Sequence, residues 1–208
     1  MTVAIRRARL GRDELNPYIA ITDTSMNLIL VMVFLVAALT SVGRVSWDDV
    51  RYKDGQKVFA AAVERRIPAP QRPSINSVKN DPPGTQRWVF LNSSLFKPGS
   101  DTLALGGATT LDQFADALRA NLNTWRRIRI EGHTMPTLYS DVDHWEDATT
   151  RAAVVARYLV ARGRIPPYFI ATAGRGGQDP LPGIPLSSPA HARIEIVLEY
   201  GKLSAQGK

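Results

Sequence analysis

Apolar positions along this chain fall into two regimes: one long unbroken run, then a series of short periodic segments. From Tyr18 to Val42 every residue is apolar or small and polar except Asp23. As a helix rising 1.5 Å per residue the run reaches roughly 37 Å, enough to cross a hydrocarbon core of about 30 Å. It predicts a transmembrane helix over 18–42. Trp47 to Arg66 is charged and amphipathic, with Val50, Val58, Phe59, Ala62 and Val63 available for one helical face. Residues 43–66 are therefore expected to form an amphipathic segment directly after the anchor. Residues 67–85 carry five prolines, a composition that predicts an extended linker.

From Gln86 onward the periodicity becomes that of an α/β domain. Trp88-Val89-Phe90-Leu91 reads as a strand, with Phe96-Lys97-Pro98-Gly99 as a turn after it. Leu111, Phe114, Ala115, Leu118 and Leu122 recur at helical spacing and predict an amphipathic helix over 108–122. Ile128-Arg129-Ile130-Glu131 alternates as a half-buried strand does. Ala148, Ala152, Val155, Ala156 and Leu159 return to helical spacing, and Gly163, Pro166 and Pro167 stop that helix. Tyr168 to Ala173 and Ile194 to Leu198 supply two more strands around a Gly/Pro loop. The expected class is α/β: a single N-terminal transmembrane helix, then a βαβαββ domain over 86–200 and a disordered tail over 201–208.

Charge orients this plan. The chain has 208 residues, net charge +7 and no cysteine, which removes thiol catalysis, Cys-ligated metals and disulfides. Arg6, Arg7, Arg9 and Arg12 precede the apolar run, while Asp48 and Asp49 follow it. The positive-inside rule then places residues 1–17 in the cytoplasm as a basic tail and the rest outside. A cleaved signal peptide is the rival reading, with an apolar core from Leu28 to Leu39 and small residues at Ala37, Ala38 and Ser41. Against it, the stretch before that core is long and contains Asp13, Glu14 and Asp23. The remaining Lys and Arg are scattered and lack an aromatic-rich signature, so no nucleic-acid partner is expected.

Asp23 is the candidate functional residue of the anchor. A charge within a membrane helix costs roughly 2.5 to 3.5 kcal/mol on insertion scales, and a proton or cation can neutralise it. The reading is an ion relay, with Thr24 and Asn27 as possible neighbours on the ion path. The alternative is a span from Leu28 to Val45, with Asp23 as an N-cap at the interface. His133, His144 and His191 show no metal-ligand spacing, so neither a metal site nor a catalytic site is expected. Gly174 to Gly177 follow a strand, but Pro180, Pro182 and Pro185 replace the helix a phosphate cradle needs.

Four pieces of the domain resemble the OmpA-like peptidoglycan-binding family. They are Gly132-His133-Thr134-Met135, Trp145-Glu146-Asp147-Ala148-Thr149-Thr150-Arg151-Ala152, Gly174-Arg175-Gly176-Gly177-Gln178-Asp179-Pro180 and His191-Ala192-Arg193-Ile194-Glu195-Ile196. With the anchor and linker, the chain resembles the MotB-type stator subunits of ion-driven motors, which include the ZorB subunit of the Zorya anti-phage system. The resemblance implies a homodimer inside a pentameric, multi-helix MotA/ZorA-like partner, driven by protons (alternatively sodium) through Asp23, with no cofactor and no enzymatic activity. It implies a bacterial inner-membrane location with the domain in the periplasm, and a plug role for residues 43–66. It also implies peptidoglycan contacts from Thr134, Arg151 and Asp143, with Arg151 clamping a diaminopimelate carboxylate. Met135 departs from the family's Asp, which receives the ligand's ammonium; Asp141 or Asp143 are the candidate substitutes. The drifted motifs favour a defence motor over a flagellar one, and a passive envelope tether is the alternative. For Arg151 itself, the competing reading is a helix-surface pair with Asp147.

Overall fold

The computed structural model describes residues 17–76, 81–137 and 144–201, and the chain divides into two units, Met1–Trp47 and Asp48–Lys208. The N-terminal basic cluster, the 202–208 tail and both Asp141 and Asp143 lie outside the described residues. Helix α1 runs over Pro17–Arg66. Proline suits a first helical position, where its fixed φ is already helical and its missing N–H has no partner to lose. Within the first unit, the stretch Ile21–Ser41 has a mean hydropathy of 2.0 and is long and apolar enough to cross a membrane. Its side chains are exposed on every side, as a lipid-facing helix requires.

In the second unit a five-stranded sheet has the order β1-β2-β5-β3-β4. The strands are β1 (Ser74–Asn76), β2 (Thr85–Leu91), β3 (Trp125–His133), β4 (Ile170–Gly176) and β5 (Arg193–Tyr200). Among the described residues only β3 and β4 pair in parallel, joined by the crossover helix α4 (Trp145–Ala161). A one-turn helix, α2 (Asn92–Leu95), and α3 (Leu105–Ala120) lie between β2 and β3. The expected alternation is present, with Leu111, Phe114, Ala115 and Leu118 buried on α3 and Ala148, Ala152, Val155, Ala156 and Leu159 buried on α4.

Two segments differ from expectation. Residues 52–66 are not a free amphipathic plug. Phe59, Ala62 and Val63 enter the core, and the Phe59 ring meets Trp88 and Phe114 edge-on, both at 5.5 Å between centroids. Gln56 Nε2 donates to the Thr85 carbonyl at 2.9 Å, tying this helix to the start of β2. The apolar face recognised in the sequence has found a sheet to cover. The Pro-rich stretch is likewise not wholly a linker, because Ile67 is buried and Ser74–Asn76 pairs antiparallel with β2 as an edge strand. The domain thus begins well before residue 86.

Strand alternation assigns the two faces of the sheet. Trp88, Phe90, Ile128, Ile130, Ile194 and Ile196 join the helices in the core. Arg87, Glu131, His133, Arg193 and Glu195 fall on the opposite face and are nevertheless buried. Gly132 allows α4 to sit close, since a Cβ there would overlap the Ala148 carbonyl.

Candidate functional site

In the first unit Asp23 lies inside α1 rather than at its N-cap, because the helix starts at Pro17. Asn27 is one turn further on the same face, and both are exposed. Thr22 Oγ1 donates back to the Tyr18 carbonyl at 2.7 Å, as hydroxyls do within helices. Thr24 is also exposed, one position round the helix from Asp23.

In the second unit, Arg151 lines an open cleft of about 300 Å³ together with Phe96, Lys97, Pro98, Ser100 and Ala192. The second turn of α4 presents this arginine. Its Nε donates to Asp101 Oδ1 at 2.8 Å. The pairing with Asp147 suggested by helical spacing is not made: Asp147 Oδ2 instead lies 3.3 Å from His144 Nδ1. Asp101 engages Nε alone, so the two terminal nitrogens of the guanidinium fork are not committed to it. Asp101 stands 50 positions from Arg151 in sequence, and no local motif announced the pair.

The remaining wall-binding candidates divide. Thr134 is buried, with Oγ1 lacking a hydrogen-bond partner among the described residues, and it does not line the cleft with Arg151. Met135 is 39% exposed at the end of β3, where the family's acidic residue would stand. Asp143 falls outside the described residues, so its relation to the cleft is not part of the geometry. Asn92 also lines the cleft, and among the described residues neither atom of its enclosed side-chain amide has a hydrogen-bond partner.

His191 fixes the cleft's other wall. Its Nδ1 accepts from the Leu181 N–H at 3.1 Å, so Nε2 carries the proton and donates to the Pro185 carbonyl at 2.8 Å. The buried ring therefore clasps the Pro-rich loop. The next residue, Ala192, accepts from the Asn92 N–H at 3.0 Å and lines the cleft. In this chain His191 has a structural task.

A second charged cluster lies on the face of the sheet away from the helices. Glu131 and Glu195 stand directly opposite across β3 and β5, a like-charge pairing that is unfavourable by itself. Arg87 resolves it: Nη1 donates to Glu131 Oε2 at 2.7 Å and also to Glu195 Oε2. Its other side pairs with Asp81 at 2.6 Å. Arg129 takes the second oxygen of Glu131 at 2.5 Å, and Arg193 takes that of Glu195. Burial favours the neutral acid at Glu131, but the Arg87 hydrogen bond and charge outweigh it and lower its pKa to about 2. His133 Nε2 lies 3.6 Å from Glu195 Oε2; burial and then the Arg193 charge push its pKa down to about 3, so the ring is neutral.

Glu131, His133 and Glu195 bring ligand-type atoms within 4.8 Å of one another, a geometry compatible with a metal. The chemistry of the set argues otherwise. Every carboxylate oxygen already accepts from a guanidinium, and the arginines supply the positive charge a cation would bring. The cluster is a buried ion network that pins three strands together. Sequence alternation marked these residues as one face but could not tell a solvated face from a covered one.

Residues 95–183 match the model of the OmpA family, and no curated protein matches the chain. Solved structures similar to it include a MotB-like protein from Desulfovibrio vulgaris, at 24% identity and TM-score 0.53, covering 77% of this chain and 96% of that one. The periplasmic domain of Helicobacter pylori MotB is 19% identical with TM-score 0.51, over 61% of this chain and 88% of that one. The cell wall anchor of the T6SS from Pseudomonas aeruginosa is 18% identical with TM-score 0.50, over 70% of this chain and 96% of that one. At these identities the likeness is one of fold. The second unit carries an OmpA-like domain, and MotB-like periplasmic domains are among its structural neighbours.

Proposed function

We propose that this chain, an OmpA-like domain behind a single candidate membrane helix, is a wall-anchored stator subunit of the MotB/ZorB kind. The observation that carries the proposal is the conjunction of Asp23, the one charged residue of the apolar span, with a domain whose cleft presents Arg151. Arg151 would hold a carboxylate of the peptidoglycan stem peptide, because a guanidinium fork matches a carboxylate bidentately. Asp23 would relay a proton, or alternatively sodium, at an interface with a multi-helix MotA/ZorA-like partner surrounding a homodimer of this chain. Each elementary charge crossing 100 mV releases about 2.3 kcal/mol, and that is the work available per ion. Neutralisation of Asp23 removes the cost of an unpaired charge facing apolar helices, and its return restores that cost. Alternation between the two states biases the partner ring one way. The chain itself is a transport component and not an enzyme. Within this reading the drifted motifs favour an anti-phage defence motor over a flagellar one.

A passive tether is the second reading. It is favoured by one observation, that the same fold occurs in a secretion-system wall anchor. Asp23→Asn separates the two. The amide keeps size and hydrogen bonding but cannot exchange a proton or neutralise a cation. The motor reading expects loss of the cellular phenotype with unchanged co-purification of the partner. Full activity of the Asn variant would leave the tether.

A further inference from the structure

We propose that the end of the domain opposite the cleft docks on anionic phospholipid headgroups of the membrane, through Arg127, Arg162, Arg164 and Tyr168. The inference goes beyond the stator reading and shares with it only the membrane span.

Three elements bring these residues to one end of the sheet. There β3 starts at Trp125, α4 stops at Ala161 and β5 finishes at Tyr200. A register shift between Trp125 and Arg127 breaks the alternation at the start of β3, and Arg126 and Arg127 are both exposed. Trp125 is fully buried, and its ring meets Phe169 at 5.2 Å between centroids. Phe169 packs in turn at 4.4 Å against Tyr168, which is 78% exposed. The tyrosine thus projects from a stack of rings anchored in the core. Arg119, at the end of α3, donates to the Gly163 carbonyl and fixes the turn that carries exposed Arg162 and Arg164.

Charge at this end is unbalanced. Among the described residues Arg127, Arg162 and Arg164 make no ion pair, because the nearby acids are taken: Asp116 by Arg119, and Glu199 by Arg126 and Arg129. Arg162 and Arg164 also suit the carbonyl end of α4, but that role leaves Arg127, at the start of a strand, unexplained. The far end carries the cleft, with Glu146, Asp147 and Asp179 exposed. A field of this polarity turns the cationic end toward an anionic surface and the cleft away from it. A tyrosine flanked by cations is also the composition found where proteins meet headgroups.

The path of the chain selects lipid as the anion. A Cβ at Gly55 would lie 3.0 Å from the Tyr200 ring, so α1 joins the domain at this same end. The apolar stretch closes at Ser41, and Tyr52 already packs against the core. Residues 42–51 reach at most about 36 Å even when fully extended. The cationic end is thereby tethered near headgroups, where each Lys or Arg raises partition onto an anionic surface about fivefold.

The test uses the full-length chain in vesicles of neutral phosphatidylcholine, or of phosphatidylcholine mixed with anionic phosphatidylglycerol. The chain has no cysteine, so a fluorophore on Ala161→Cys reports on the cationic end and one on Thr102→Cys on the cleft end. Energy transfer to an acceptor dye in the membrane is the readout, and thermal midpoints confirm that each variant is folded. Transfer from residue 161 should be higher in anionic than in neutral vesicles, and the difference should vanish at high salt. Residue 102 should show no such difference. Arg127→Gln combined with Arg164→Gln should lower the ratio of docked to undocked domain roughly 25-fold. Equal transfer from residue 161 in both lipids, a rise that survives the double substitution, or an equal rise at residue 102 overturns the docking surface and leaves the span standing. Failure of the chain to insert into either kind of vesicle overturns the span, and this inference with it.

Discussion

Arg87 holds two buried glutamates that face each other across neighbouring strands, and the nearby His133 has no hydrogen-bond partner for either ring nitrogen among the described residues. The two kinds of group respond to acid in different windows. Burial, then the Arg193 charge, lowers the His133 pKa from 6.5 to about 3. The unfolded chain therefore binds this proton more readily. The stability tied to neutral His133 is present above pH 6.5 and is lost as pH falls toward 3. Glu131, opposed by burial but held by Arg87, is lowered from 4.5 to about 2, so its contribution is present above pH 4.5 and disappears toward 2. Denaturant titrations of the full chain should show stability falling from pH 6.5 downward and more steeply below 4.5. His133→Gln should flatten the curve between 6.5 and 4.5 and keep the lower limb; an unchanged upper limb would remove His133 from the account. The residue types alone did not reveal this cluster. Arg129 and Glu131 have the alternation of an ordinary solvated strand face, and the coverage of that face is a tertiary fact.

Among the elements, the C-terminal part of α1 changes its meaning most between sequence and structure. Of the face expected from spacing, Phe59, Ala62 and Val63 are buried while Val58 stays 50% exposed, and Phe59 packs fully buried against Trp88 and Phe114. Spacing reveals that a face exists but not what it covers, so a free segment and a core helix look alike in sequence. Phe59→Ala should cost about 3–5 kcal/mol of domain stability, as large-to-small aromatic changes in cores do. A denaturation midpoint unchanged from wild type would mean the helix is not integral to the domain. Deleting 47–66 is accordingly expected to unfold the domain rather than to release a plug. By contrast α3 and α4 were legible almost residue by residue, because each buries one continuous stripe at i, i+3, i+4 and i+7 against a sheet.

For the whole molecule, the basic cluster before the span and the acidic pair after it predict a cytoplasmic N-terminus and a periplasmic domain. Alkaline phosphatase, which is active only after export, provides the measurement. Fused after residue 201 it should be active in cells, and fused at residue 12 it should be inactive. The reverse pattern would overturn the assigned orientation and remove the domain from the wall.

The sequence by itself determined the apolar span and its lone charge, the two long helices of the domain and the four strands from β2 to β5 along the chain. These follow from local periodicity, which is a property of consecutive residues. The tertiary structure decided which apolar and charged faces are covered, where the domain begins, and which residues meet across the fold. Arg151 and Asp101 are 50 positions apart, and Arg87 and Glu195 are 108 apart. Such pairs arise only when strands take their register and a crossover helix settles on them. Short-range pattern does not encode those distances, and it is at those distances that the cleft and the buried ion network are made.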